Sequence, residues 1–169
     1  LYIMAKLSIN EAAASGYTDV VGFDHVQLQS IADGTNPWSG ATLAVAGEMP
    51  IGVIPAGGSM ALVSVIEEVA FVGTTTCDIN IGVTTTDPDE FINALSVDTM
   101  TTGVAVSNTG DVMVKSAATT TFAGGYLPVS STAAAQTVIL KVADLVAATA
   151  GRVLIGMKIN DLAQFSKVN

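Results

Sequence analysis

The sequence predicts an all-β protein, an antiparallel β-sandwich with an N-terminal arm, and three observations carry that prediction. Half of the residues are apolar but only 5% are aromatic, so the core must be built from Val, Ile, Leu, Ala and Met in thin layers. Short runs rich in Val, Ile and Thr recur between clusters of Gly, Pro, Asn and Asp, with no long run of helix formers between them. From Cys77 to Val83 the alternation is strict: Cys77, Ile79, Ile81 and Val83 share one face, and Asp78, Asn80 and Gly82 share the other. A length of 169 residues fits one domain with a real core. Strands that follow one another without helices favour antiparallel pairing over βαβ units.

Residues 1–40 read as an arm or peripheral subdomain, and residues 41–169 as the sandwich. In the arm, Ile9 to Ser15 forms at most a helical turn or two before Gly16. Val20–Phe23 and Val26–Gln29 read as short strands around Asp24-His25, and Ala32 to Pro37 is a dense turn cluster. Fully extended, such an arm reaches on the order of 100 Å. Strands are then expected at Ala41–Ala46, Met49–Ile54, Ser59–Val72, Cys77–Val83, Gly103–Val106, Val112–Ser116, Thr119–Phe122, Tyr126–Val129, Thr137–Ala143 and Arg152–Asn160. Asn108 to Asp111 reads as a hairpin turn. Asp87 to Leu95 is expected to make one helical turn, with Asp87 capping and Pro88 in the first position.

Charge and hydropathy exclude several function classes. The net charge is −9, and the six basic residues (Lys6, Lys115, Lys141, Arg152, Lys158 and Lys167) form no patch, so nucleic acid is not an expected partner. Mean hydropathy is high at +0.56. The most apolar stretch, Met60 to Val72, is broken by Ser64, Glu67 and Glu68, and no run approaches the ~18 apolar residues of a spanning helix. A membrane is therefore not expected either, and apolar surface buried between subunits accounts for the hydropathy. Residues 1–20 lack a basic stretch followed by an apolar one, so no secretory leader is expected, and Met4 reads as a start.

Residue chemistry points away from catalysis. His25 is the only histidine, and Asp24 beside it would point to the opposite strand face, away from a general-base role. Cys77 is the only cysteine; it lies on the inward face of its strand and reads as a buried, inert thiol. Asp87, Asp89 and Glu90 cluster near Asp78 and Asn80, but their spacing does not match a calcium loop, and a solvated, capped turn is expected instead. No nucleophile elbow, zinc motif or phosphate-binding loop occurs. No enzyme activity, cofactor or metal is expected.

The long run from Met60 to Phe71 does not alternate cleanly. Ala61, Val63, Val65, Glu67, Val69 and Phe71 take one face, and Met60, Leu62, Ser64, Ile66, Glu68 and Ala70 the other. A strand apolar on both faces is buried on both. One face therefore meets the opposite sheet, and the other a neighbouring subunit, with Glu67-Glu68 where the strand leaves that contact. Trp38, the only tryptophan, follows the turn cluster where a large aromatic anchors on a partner or covers a core edge. The interface candidates are Trp38, Phe23, Met60, Leu62 and Ile66.

Ile54-Pro55-Ala56-Gly57, the long Val-rich strand, Asn80-Ile81-Gly82 and Asp87-Pro88-Asp89-Glu90-Phe91 together resemble small virion proteins of tailed bacteriophages. These are head decoration (cement) or head-fibre proteins with a jelly-roll-like β-sandwich. The resemblance spans residues 49–160 and departs from the family after Gly82, where Val83 replaces the usual acidic residue. It implies that Phe91 and Leu95 close one end of the barrel, and that Tyr126–Val129 and Val153–Ile159 are late strands. It further implies a homotrimer on the outer surface of the capsid, with the major capsid protein as partner and a mechanical role. The alternatives are a head-fibre or tail component that binds host surface glycan, and a hydrolase domain without recognisable motifs.

Overall fold

In a computed structural model the described residues are 17–56, 58–74, 76–83, 87–107, 134–143, 145 and 147–161. In chain order they form β1 (Tyr17–Asp24), α1 (His25–Ala32), β2 (Glu48–Ile54), β3 (Gly58–Val72), β4 (Asp78–Val83), β5 (Asp87–Ser96), a 3₁₀ turn (Val97–Thr99), β6 (Ala105–Ser107), β7 (Gln136–Ala143) and β8 (Ala150–Asp161). Two four-stranded antiparallel sheets result, ordered β1-β8-β3-β6 and β2-β7-β4-β5. The first strand pairs with the last, the second with the seventh, the third with the sixth and the fourth with the fifth. Four such nested pairs, folded over into two sheets, make the jelly roll. The expected antiparallel sandwich is thus the fold.

The core lies between the sheets and is supplied by alternate residues. Cys77, Ile79, Ile81 and Val83 of the β4 region are buried, as are Val138, Leu140 and Val142 of β7 and Val153, Ile155, Met157 and Ile159 of β8. At about 25 cal/mol per Å² of apolar surface, each of these aliphatic side chains contributes roughly 1.5–3 kcal/mol. The sheets approach closely at Gly52 of β2, where an added Cβ would lie 3.1 Å from Met157 Cε on the opposite sheet.

Several expectations are corrected. Val26–Gln29 is helical, because Asp24 and Gln27 form a capping box: Gln27 N donates to Asp24 Oδ1 at 2.8 Å and Asp24 N donates to Gln27 Oε1 at 3.0 Å. The helix buries Leu28 and Ile31 against the core. Residues 17–32, expected in the arm, belong to the sandwich, since β1 pairs with β8 over eight residues. Asp87–Leu95 is strand, with Pro88 tolerated because β5 is a sheet edge. Ala41–Ala46 is loop apart from one bridge, Thr35 to Thr42. The expected strands between Val112 and Val129, the hairpin turn at Asn108–Asp111 and the turns at Ile9–Ser15 lie outside the described residues.

Candidate interface surfaces

The outer face of sheet β1-β8-β3-β6 follows from its register. Inward residues of β8 pair with Asp19 and Phe23 of β1 and with Val63, Val65 and Glu67 of β3, so the residues between them point outward. One outward row runs Val20, Gly156, Ser64, Ser107; the next runs Gly22, Leu154, Ile66, Ala105; Lys158 and Leu62 start a third. Val20 is 43% exposed, and Leu62, Ile66 and Leu154 are half-buried. The first row is flat: a Cβ on Gly156 would meet nothing nearer than Ser64 O at 4.0 Å, and the Ser64 and Ser107 hydroxyls share a 2.6 Å hydrogen bond. Apolar and small residues thus form a smooth stripe across a sheet, a surface suited to another protein rather than to a small ligand. Charge appears at its border, where Arg152 Nε meets Glu68 Oε2 at 3.0 Å with both side chains exposed.

Bulges decide which face of β3 each residue takes. Ala61 is an extra residue between the pairs Met60–Ile159 and Leu62–Lys158, so Met60 turns inward although Leu62 and Ile66 point out. A second irregularity follows Glu67. Glu67 is buried at 2% exposure; its carboxylate accepts from Phe71 N at 3.2 Å and Thr102 Oγ1 at 2.7 Å, while its carbonyl accepts from Gly103 N. Two acidic neighbours expected to mark the same border therefore differ: Glu67 pins the bulge from inside, and Glu68 faces solvent.

A second surface is built around Trp38. Thr35 and Thr42 bridge, Asn36 N donates to Ala41 O, and the Asn36 side chain accepts from Trp38 N at 2.9 Å and Ser39 N at 3.2 Å. This closed turn holds Trp38 with its ring centroid 5.4 Å from that of Phe23, covering the core edge on one side and leaving 44% of the residue exposed. Of the interface candidates, Trp38, Leu62 and Ile66 retain surface. Phe23 is fully buried and Met60 is 4% exposed in the chain's own core, so neither has area to give a partner. Val20 and Leu154 complete the stripe and were not legible as a pair, since only the pairing of β1 with β8 brings them to one face.

The titratable groups have other work. Asp24 is occupied as the helix cap, and His25 begins α1 at the rim of a shallow groove of about 270 Å³ lined by Val26, Gln29, Ser30, Leu145, Ala147 and Ala148. Burial, with the nearby charges of Asp78 and Asp98, pushes the Cys77 thiol up to about 12, so it stays protonated. Asp87, Asp89 and Glu90 run along β5, and among the described residues no three His, Cys, Asp or Glu side chains converge as a metal site. Asn80 instead accepts from Ala94 N, holding a bulge of β5. Among the described residues no helix is long and apolar enough to cross a membrane.

No protein-family model matches the chain, and no curated protein does. Among solved structures it is similar to a chain of the Cyanophage Pam1 capsid asymmetric unit, with a TM-score of 0.50 and 15% identity over 95% of this chain and 96% of that one. The likeness is one of fold. It runs almost end to end in both chains, so the neighbour is a domain of about the same size.

Proposed function

We propose that this protein is a structural virion component of a tailed bacteriophage: a capsid decoration or cement protein that binds the outer head surface. The observation that carries this reading is the end-to-end likeness of its jelly roll to a chain from a phage capsid asymmetric unit. Two surface features support it. The stripe of Val20, Leu62, Ile66 and Leu154 offers a flat apolar face on which copies of the chain join, for which a trimer on a local three-fold axis is our reading. The rigid turn at Trp38 offers an aromatic anchor of the kind that dominates binding energy at protein interfaces. The net charge of −9 fits a surface that faces solvent rather than packaged DNA.

The role is mechanical rather than catalytic in this reading. Each assembly bridges neighbouring shell subunits, adding contact area across seams that internal DNA pressure pulls apart. At about 25 cal/mol per Å² of apolar area, less the cost of association, a modest footprint repeated over a shell adds up. Cosedimentation with heads of the source phage lacking the protein tests it. The protein should pellet with the heads and raise their survival to heat and low salt, and Trp38→Ala should weaken binding. Heads equally robust with and without it would rule out the cementing role.

A further inference from the structure

β6 is the least anchored strand of its sheet. It spans three residues, and Ala105, Val106 and Ser107 pair with Ile66, Val65 and Ser64 of β3. The chain reaches it from Met100, whose side chain packs against the core. From Thr101 to Ser107 no residue is buried: Val106 is half-buried and the others are exposed. Little apolar area holds this segment down, so hydrogen bonds do. Thr101–Val104 closes a turn in which Val104 N donates to Thr101 O at 2.9 Å and Gly103 takes φ 79°, the conformation a type II turn asks of its third residue. A Cβ on Gly103 would meet nothing within 4 Å, so the tip of the turn stands clear of the sheet. The turn is tied to β3 at one residue. The Glu67 carbonyl accepts from Gly103 N at 2.8 Å, and its carboxylate accepts from Thr102 Oγ1 at 2.7 Å and Phe71 N at 3.2 Å. That carboxylate belongs to a residue only 2% exposed, and among the described residues no cation pairs with it. A buried charge is costly unless its donors stay in place, and it gains water when they leave. Specific bonds therefore hold the segment closed against a standing desolvation cost.

We propose that Thr101–Ser107 is a strap that lifts from β3 and recloses as a unit while the sandwich stays folded, with the bond between Glu67 and Thr102 as its latch. Lifting frees the main-chain groups of Ser64, Val65 and Ile66 that face β6, and takes Ala105 and Ser107 out of the outer rows. The strap thus sets whether the stripe ends in a closed sheet or in an open strand edge, the kind of edge to which another strand adds. Nothing in this device depends on which partner the stripe meets.

Native-state hydrogen exchange on the full chain at low urea concentrations tests it. The Gly103 and Val104 amides should exchange through an opening nearly independent of urea, roughly a hundredfold or more ahead of the amides of β8, which is paired on both sides and follows global unfolding. Thr102→Val keeps the shape but removes the hydroxyl, and should lower strap protection about tenfold, the worth of one hydrogen bond, while local exchange in α1 stays as it was. Thr102→Ser keeps the hydroxyl and should leave strap protection unchanged. Strap amides that exchange only together with β8, with the same urea dependence, would show that the segment does not open by itself and overturn the proposal. Unchanged protection in Thr102→Val, or an equal loss in Thr102→Ser, would show that the hydroxyl is not the latch and overturn it as well.

Discussion

Gly151 is where the sandwich tolerates least. It lies on β8 opposite the irregular stretch of β3 between Val69 and Val72, with φ at 139°. A Cβ built there would sit 2.4 Å from Cδ1 of Phe71, whose ring lies over the glycine. Gly151→Ala therefore meets two separate obstacles. The backbone conformation disfavours any side chain by about 1–3 kcal/mol. Pushing the ring aside costs a further ~1–3 kcal/mol, as overpacking does in well-filled cores. A combined loss near 4 kcal/mol would lower Tm by roughly 8–16 °C in a domain of this size. Urea unfolding at constant m measures it, and Phe71→Ala divides it. Without the ring, Gly151→Ala should cost only the backbone share, leaving a coupling of about 1–3 kcal/mol between the two sites. Equal costs of Gly151→Ala in both backgrounds would show that Phe71 is not the obstacle, and the packing account of this corner would fail.

Four more outcomes follow from other parts of the molecule. Because the Cys77 thiol is held at about 12 against an ordinary 9.0, its alkylation at pH 8 should be about a thousandfold slower in the folded than in the unfolded chain. Between those values the folded state keeps a proton that the unfolded chain has lost. Stability is thus full below pH 9 and falls by up to about 1.4 kcal/mol per pH unit above it, a slope that Cys77→Ala should remove in urea titrations from pH 8 to 10.5. Asp24→Ala removes the carboxylate that accepts from Gln27 N, leaving the bond from the backbone N–H of residue 24 to Gln27 Oε1, and should cost about 1 kcal/mol by the same unfolding measurement; no change would mean this cap contributes nothing to holding α1. Ile66→Asp places a charge in the outer stripe without touching the core, so the monomer should keep its stability to within about 1 kcal/mol while sedimentation shows self-association lost. Unaltered association would move the interface elsewhere.

The jelly roll resists shear because each sheet mixes strands from both ends of the chain. β1 and β8 pair across almost the whole sequence, so the described ends are held within one sheet. Glu67 fastens the bent end of the longest strand to the loop at Thr102 and Gly103, which keeps the outer face of β3 in a fixed shape for whatever it meets.

By itself, the sequence determined what depends on neighbours along the chain. Alternation of period two assigned Cys77, Ile79, Ile81 and Val83 to the core, and the scarcity of aromatics together with turn residues between short apolar runs announced a β-sandwich. The helix at His25–Ala32 was also written locally, in Asp24 and Gln27 at capping-box spacing, but four residues with strand-like character masked it. Tertiary structure decided everything that rests on pairing between distant segments. One extra residue at Ala61 shifts the register and turns Met60 inward, which no alternation pattern reveals because the bulge exists only relative to β8. Phe23 became core because β1 joins β8 and Trp38 closes over it, and Asp87–Leu95 became strand because β4 offers an edge where Pro88 does no harm. The outer stripe came from the same cause: Val20, Leu154 and Ile66 are apolar in isolation, and a surface only once three strands are laid side by side.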